Sequence, residues 1–271
     1  MQGTGNNQSQ TYNLSIRLHA DGFSFYSYNP ATTEPVAMED YTYHEEESAA
    51  ETLKKAIAQS AVVQKRNNPA VYGLVTGLSI QVPLECFRKE EAPALYRLTY
   101  AQAKTGKTYY NILPHLEIAQ IFTVDHEVER TLNQHFPGIR LYHSHTMILE
   151  KMWLLAGQDR RQLYAYFDKK EVFVFGYQER QLCYANTFPA DVAVNAVYFI
   201  LSVWKDLKMD ARKEECVLLG SGSIKDDTAQ LLARYLQNVR NTRASDIYRR
   251  SALARDQQLP FDLLALWVHV I

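Results

Sequence analysis

The chain has 271 residues and a formal net charge of −1, with 46% hydrophobic and 22% charged residues. This length is sufficient for one large domain or two modest ones with ample core. A net charge near zero gives no electrostatic reason to expect binding to nucleic acid or to an acidic membrane. No apolar run approaches the roughly 18 residues that a membrane helix needs, so we expect no membrane span.

The cysteines and the start of the chain bear on the cellular compartment. Cys86, Cys183 and Cys216 show no CxxC or other paired spacing, which is typical of reduced thiols inside cells. Residues 1–10 are polar and contain neither the basic nor the apolar stretch of a signal peptide. We therefore expect a cytoplasmic protein whose residues 1–11 form a disordered tail.

The most informative pattern is a duplication, over residues 12–97 and 162–237. In each copy an apolar strand meets an acidic turn, Asp21-Gly22 in the first and Asp168-Lys169-Lys170 in the second. An aromatic, alternating strand follows each turn. A third strand, a long helix, a buried strand ending in glycine and a second helix complete each copy.

Apolar periodicity sets the expected elements. In the first copy we predict strands at 14–18, 23–28, 36–43 and 71–76, and a helix at 48–66. Pro83 is typical of the first turn of a helix and predicts another helix there. In the second copy we predict strands at 163–167, 171–176, 182–188 and 217–219, and helices at 190–207 and 226–236. The helix at 190–207 is apolar nearly all round, which predicts burial on several sides.

Residues 99–160 have no evident counterpart in the second copy. Here we predict strands at 98–101, 109–113, 116–124 and 139–143, and helices at 125–136 and 147–156. The expected division is a first lobe at 12–157, with an insertion at about 99–157, and a second lobe at 161–271. The final segment, 260–271, is too apolar for a free tail, and we expect it to pack into a lobe or, alternatively, to dock on another chain.

Strands and helices in this order predict a mixed sheet with helices on its faces, which is an α/β architecture. Two such units predict two lobes with a central cleft. Ligands of these sheets bind at the carboxyl ends of the strands, where loops of the two lobes face each other.

Three loops are candidates for this position. Asp21-Gly22 could hold Mg²⁺-bound water and allow close approach of a phosphate, although Asp-Gly is equally a common hairpin turn. Asp168 and Lys169 form a second acidic turn, in which lysine could bind phosphate as a point charge or simply be solvated.

The third loop is Gly220-Ser221-Gly222-Ser223, between a buried strand and a helix. Small residues at a helix N-terminus can cradle an anion or a nucleotide, and a tight turn with a serine cap is the alternative. It matches neither the Walker phosphate loop nor the dinucleotide fingerprint.

His143 and His145, two apart on a predicted strand, would share a face and could begin a metal site, or they are polar strand-edge histidines.

The duplicated meander and the Gly-Ser-Gly loop resemble the actin-like ATPase fold, which is ribonuclease H-like and is shared by actin, Hsp70 chaperones and sugar kinases. Three segments resemble an uncharacterised bacterial family of that fold: Leu14-Ser15-Ile16-Arg17-Leu18, Asp21-Gly22-Phe23-Ser24-Phe25 and Val82-Pro83-Leu84-Glu85-Cys86-Phe87. That family is similar in architecture to the cytoplasmic scaffold proteins of type IV pilus and type II secretion systems.

The resemblance implies ATP and Mg²⁺ as possible cofactors. It places Asp21-Gly22 at the first phosphate loop, Asp168 in the second, and Gly220 to Ser223 at the adenosine loop. This sequence departs from active members, since Phe23 replaces the expected Thr or Ser, and Lys169 and Lys170 stand where a glycine is expected. No acid or Gln can be assigned to orient the attacking water.

These departures lead to two main hypotheses. The first is a catalytically degenerate protein that binds a protein or peptide partner in or beside the cleft. The second is an active nucleotide switch or phosphotransferase, in which Asp21 and Asp168 hold Mg²⁺.

Overall fold

The computed structural model describes residues 12–29, 34–43, 46–64, 70–102, 106–157, 161–248 and 259–270. Residues 1–11, which we expected to form a tail, lie outside this set, as do 158–160 at the expected boundary between the lobes.

The first sheet has five strands in the order β3-β2-β1-β4-β8. They are β1 (Asn13–His19), β2 (Gly22–Tyr28), β3 (Ala37–Thr42), β4 (Val71–Val75) and β8 (Arg140–His143). The first three strands form an antiparallel meander in which Ile16 lies opposite Phe25. The strands β4 and β8 continue the sheet in parallel with β1.

The second sheet repeats this arrangement, in the order β11-β10-β9-β12-β13. Its strands are β9 (Gln162–Asp168), β10 (Glu171–Gln178), β11 (Gln181–Pro189), β12 (Glu215–Gly220) and β13 (Asn238–Asn241). The predicted duplication is therefore present in the sheet topology. It also extends further than expected: β8 takes the place that β13 has in the second sheet, so residues 140–143 do have a counterpart.

Each sheet carries two helices on its outer face. On the first sheet these are α1 (Ala49–Gln59) and α4 (His126–His135), and the short α2 (Ala61–Gln64) follows α1. Ser48 caps α1 by accepting a hydrogen bond from the Glu51 backbone N–H, and Asp125 caps α4 in the same way. On the second sheet they are α6 (Ala193–Asp206) and α7 (Ser223–Leu232).

The inner faces of the two sheets enclose a pair of helices, α5 (Ser144–Leu155) and α9 (Phe261–Val270), which pack against each other. One continuous apolar core joins side chains of both sheets to both helices. The apolar C-terminal segment thus lies inside the molecule, with Leu263, Leu264 and Trp267 fully buried.

A three-stranded sheet, β5-β7-β6, is attached to the first lobe. It consists of β5 (Ser79–Pro83), β6 (Gly106–Leu113) and β7 (Ile118–Asp125), with α3 (Ala92–Thr99) packed on it and a 3-10 turn at Pro114–Leu116. The short α8 (Ala244–Ile247) precedes α9.

Three sequence predictions fail in these regions. Pro83 ends β5 instead of starting a helix, because an outer strand tolerates a residue without an N–H. The proline at a helix start is Pro93, in α3, and that helix and its C-cap Tyr100 replace most of the strand expected at 98–101. The helix α6 buries one side only, and its Val194 and Tyr198 are each 66% exposed.

None of the helices in the described residues combines the length and apolar character needed to cross a membrane.

Candidate functional site

The two acidic hairpins, predicted to face each other across the cleft, do meet. Lys169, at the tip between β9 and β10, places its Nζ 2.5 Å from Oδ1 of Asp21, at the tip between β1 and β2. Both side chains are about half exposed or more. An ion pair with this much solvent contact contributes at most about 1 kcal/mol.

A second, buried pairing lies beneath the first. Arg17, in β1, is only 3% exposed at its side chain and donates from Nη2 to Asp168 at 2.6 Å. The same guanidinium binds Asp262, in the first turn of α9, from Nε at 3.0 Å and from Nη2 at 2.8 Å. We call Arg17, Asp21, Asp168, Lys169 and Asp262 the hairpin junction. It joins the first sheet, the second sheet and the C-terminal helix.

Burial and charge set the protonation states here. The carboxylates of Asp262 and Asp168 outweigh the effect of burial on Arg17, and its pKa lies well above the usual value. Burial, together with the charge of Arg17, lowers the pKa of His19 to about 3. His19 is therefore neutral, and its Nδ1 accepts a hydrogen bond from Nη1 of Arg17 at 2.9 Å. Burial raises the pKa of Asp168 despite Arg17.

The residues at this end of the cleft fit Mg²⁺ and a polyphosphate poorly. Asp168 is bound to Arg17, and Asp21 to Lys169, so a metal ion here would lie beside a cation that already neutralises each carboxylate. A cavity of about 280 Å³ is lined by residues of the junction together with Asp40. Its lining holds two carboxylates, Asp21 and Asp40, and two cations, Arg17 and Lys169, so it has no excess of positive charge to attract a polyphosphate.

Phe23, which stands where active members of the resembling fold carry Thr or Ser, is turned into the core. It is fully buried and stacks on Tyr41 with ring centroids 5.2 Å apart. It cannot supply a hydroxyl to a phosphate.

The Gly220 to Ser223 loop lies beside the second hairpin, because Gly220 pairs with Phe167, next to Asp168. The φ angles of Gly220 and Gly222 are 94° and 106°, which glycine adopts without strain. The helix α7 begins at Ser223, three residues earlier than predicted, and Gly222 gives it no side-chain cap. Ser221 and Ser223 therefore do not cap the helix at its N-cap position.

This loop borders a cavity of about 220 Å³ that is also lined by Lys225 and Arg243. Lys225 is buried, which lowers its pKa, and its Nζ donates to the Thr242 carbonyl at 3.1 Å. These cations and an uncapped helix N-terminus favour an anion, whereas Asp226, which also lines the cavity, opposes one.

His143 and His145 do not share a strand face as expected, because β8 ends at His143 and α5 starts at Ser144. Nδ1 of His143 caps the helix by accepting from the His145 N–H at 3.1 Å. The His145 ring stacks on Phe173 of the second sheet at 3.7 Å. Burial lowers the pKa of His143 to about 3 and that of His145 well below its usual value. Among the described residues, no group of three His, Cys, Asp or Glu is placed to hold a metal ion.

Sequence reasoning missed the two central residues of the junction, Arg17 and Asp262. In the strand predicted at 14–18, Leu14, Ile16 and Leu18 alternate with polar residues, which is typical of a strand with one exposed face, yet β1 is buried on both faces. Asp262 is the single acid in the apolar segment 259–271. A lone charge within an apolar element was the available signal, because such a charge must be paired when it is buried.

The sheet order, the enclosed helices and the opposed hairpins define an actin-like ATPase fold. A protein of unknown function from Bacteroides thetaiotaomicron VPI-5482, solved with that fold, superposes with a TM-score of 0.80 at 24% identity, covering 98% of this chain and 99% of its own. PilM in the PilM-PilN type IV pilus biogenesis complex matches with a TM-score of 0.56 at 12% identity, covering 95% and 99%. Nothing among curated proteins matches.

The chain belongs to the family described as protein of unknown function DUF3822, whose model matches residues 3–239.

Proposed function

We propose that this protein is a cytoplasmic, non-catalytic member of the actin-like fold that binds a protein or peptide partner. The observation that carries the proposal is the hairpin junction. Each hairpin acid is bound by a cation from the opposite hairpin or sheet, at 2.5 Å for Asp21 and 2.6 Å for Asp168. Phosphoryl transfer on this fold depends on positioning and metal-assisted charge stabilisation, and both acids are engaged elsewhere.

A protein partner is favoured by the likeness to PilM, which was solved in complex with PilN. The likeness is one of fold, and it suggests a type of function, the formation of a protein complex, without naming the partner of this chain.

The first test is calorimetry with Mg-ATP, Mg-ADP and Mg-GTP, supported by thermal unfolding. A ligand at 100 times its Kd would stabilise the fold by about 2.7 kcal/mol, which at this length is several degrees of Tm. We expect no heat and no shift at millimolar nucleotide. Magnesium-dependent binding that Asp21→Ala abolishes would overturn the proposal.

The second test addresses the partner. The tagged chain, expressed in its source cells, should recover a stoichiometric protein. Recovery should be unchanged in Asp21→Ala, because that residue is not needed for a non-nucleotide partner. Loss of recovery on adding Mg-nucleotide would instead indicate a nucleotide switch.

The cavity at Gly220 to Ser223 favours nucleotide binding as a second candidate function, because Lys225 and Arg243 line it. With Asp21 and Asp168 engaged in ion pairs, such binding would be independent of Mg²⁺. Calorimetry with ATP in excess EDTA separates the possibilities: equal affinity with and without Mg²⁺ supports this candidate, and a strict need for Mg²⁺ contradicts it.

A further inference from the structure

The strand β3 is an end strand of the first sheet and, among the described residues, pairs only with β2. The Tyr43 N–H donates to the Asp21 carbonyl at 2.9 Å, which fixes the phase of this antiparallel ladder. Because hydrogen-bonded pairs alternate along such a ladder, every second residue of β3 turns its N–H and C=O away from β2. These outward residues are Met38, Asp40 and Thr42.

The backbone groups of the outward residues have no hydrogen-bond partner in the part of the chain that the structure describes. All three residues are exposed. The short α2 is bonded to the outer face of the sheet instead, because the Val62 N–H donates to Oε1 of Glu39 at 3.3 Å. The edge of β3 therefore presents unpaired N–H and C=O groups on which a further strand can form.

The corresponding strand of the second sheet, β11, has the same edge position but is blocked there. Pro189 takes the place of Thr42, since each lies opposite the first residue of the middle strand of its meander, and proline has no N–H to donate. At the next outward position, the Thr187 N–H is bound by Oδ1 of Asn186 at 2.9 Å. Such features protect a strand edge from pairing with another chain. Neither is present in β3, so the open edge is a property of the first lobe.

The charge of the segment around β3 indicates what would cover this edge. Residues 34–47 contain no Lys or Arg, although the whole chain has a net charge of only −1. The acidic residues of this segment are Glu34, Glu39, Asp40, Glu45, Glu46 and Glu47. Asp40 is exposed in the middle of the open edge, and none of the ion pairs among the described residues involves it. The edge is therefore complementary to a basic partner.

A cavity beside the edge gives the partner's cation a defined position. This cavity of about 280 Å³ is bounded on β3 by Asp40, Tyr41 and Thr42. Its two cations, Arg17 and Lys169, are already bound by carboxylates, whereas Asp40 is not. On an added strand, the residue directly opposite Asp40 would lie on the same face of the sheet, with its Cβ about 5 Å away. A Lys or Arg there would pair with Asp40 at the mouth of the cavity.

We propose that β3 accepts an extended segment of a partner protein as a sixth strand of the first sheet, with a Lys or Arg of that segment opposite Asp40. Hydrogen bonds to the outward backbone groups supply the affinity, and the cation supplies the selectivity. This inference rests on the proposed function, because it specifies how the protein or peptide partner binds. The partner would lie beside the cleft and leave the hairpin junction intact.

Amide hydrogen exchange of the full chain, followed by NMR, tests the edge directly. In the free protein, the residues of β3 that are bonded to β2 should exchange slowly, and the three outward residues should exchange fast. Slow exchange at Met38, Asp40 and Thr42 in the free chain would overturn the proposal, because the edge would then already be covered.

The probe for binding is a peptide that is selected from a displayed library of random sequences against the wild-type chain and then synthesised. Calorimetry gives its Kd, and the exchange measurement is repeated on the complex. We expect the selected sequences to be basic. The bound peptide should slow exchange at Met38, Asp40 and Thr42 by at least about tenfold, which is the alternating signature of an added strand.

Two substitutions separate the backbone contribution from the charge contribution. Thr42→Pro removes one outward N–H, as Pro189 does in β11, and should weaken the peptide at least about tenfold. Thr42→Ala keeps the N–H and is the matched control, with a Kd within about threefold of wild type. Asp40→Lys should weaken binding about tenfold, and a peptide with Glu in place of its cation should restore it. Glu46→Lys, an exposed acid outside β3, is the control for overall charge.

The outcomes distinguish this site from the proposed function. A peptide that slows exchange elsewhere, or that binds Thr42→Pro as well as wild type, overturns the site and leaves the proposed function standing. A selection that yields no peptide binding above background contradicts both. If Thr42→Pro lowers the Tm by more than a few degrees, the exchange pattern of the wild-type complex decides instead.

Discussion

The two inner helices occupy equivalent places in the duplicated fold but attach to the opposite sheet by different chemistry. In α9 the second residue is Asp262, and it reaches the first sheet by binding Arg17. In α5 the second residue is His145, and it reaches the second sheet by stacking its neutral ring on Phe173. The second residue of the inner helix is thus a charged carboxylate in α9 and a neutral aromatic ring in α5.

Further along, the two helices again use different groups for the same purpose. Nε1 of Trp267, in α9, donates to Oγ of Ser15 in the first sheet at 2.9 Å. In α5 the Leu149 carbonyl accepts from the Tyr177 hydroxyl of the second sheet at 2.7 Å. Each inner helix is therefore bonded to the sheet of the other half. The two lobes share one core, and charge matters most where α9 begins.

Arg17→Ala tests the charged attachment and should have the largest effect. It leaves Asp262 fully buried without its cation, which typically costs about 3–5 kcal/mol. Urea unfolding at pH 7 measures the loss. The control is Arg17→Met with Asp262→Leu, which removes the fully buried charge together with its partner and leaves only Asp168, 26% exposed at its side chain, without Arg17. That double variant should lose much less, and an equal loss in both would show that packing, rather than charge, holds α9.

Glycines after the central strands extend the comparison between the halves. A Cβ on Gly220 would lie 2.3 Å from the Phe167 carbonyl oxygen, and the φ of 94° adds strain. Gly222 and Gly77 have φ values of 106° and 100° but open space around a Cβ. By thermal unfolding, Gly222→Ala and Gly77→Ala should cost about 1–2 kcal/mol, and Gly220→Ala clearly more. Equal costs at all three would mean that the Phe167 backbone yields.

Some parts of the fold could be predicted from the sequence and others could not, and the difference has physical reasons. The meanders were recoverable because alternation, the Asp-Gly turn and the aromatic strands are local signals. A strand was predicted at 139–143, but its place as the fifth strand of the first sheet was harder to predict, because the three-stranded insertion separates β4 from β8 in the chain. The opposed hairpins followed from topology, but the partners of Asp21 and Asp168 did not. Arg17 and Asp262 are 245 residues apart, and no local pattern links them.

Low pH should weaken the attachment of α5 to the second sheet, where the neutral His145 ring stacks on Phe173. The pKa of His143 is about 3 and that of His145 is well below 6.5 in the folded state, so the unfolded chain binds more protons below pH 6.5. The free energy of unfolding is thus largest above pH 6.5, and it decreases as the pH drops below that value. Each histidine contributes up to about 1.4 kcal/mol per pH unit.

The measurement is the free energy of unfolding between pH 7 and pH 5. His145→Gln should reduce the slope near pH 5 by about one proton, even if it also lowers stability at pH 7. An unchanged slope would show that His145 is protonated in the folded protein, and that its stack on Phe173 is not a neutral contact.

Lys169→Ala should have the smallest effect, because it removes the exposed ion pair and leaves the buried one. Lys169 and Asp21 are 49% and 63% exposed at their side chains, so we expect a loss of at most about 1 kcal/mol, and less in 1 M salt. Urea unfolding at low and high salt measures it, with Lys170→Ala on the same hairpin as the control. A loss as large as that of Arg17→Ala would contradict the division into a weak outer pair and a strong inner one. It would mean that the hairpin tips, and not the first turn of α9, hold the two sheets together.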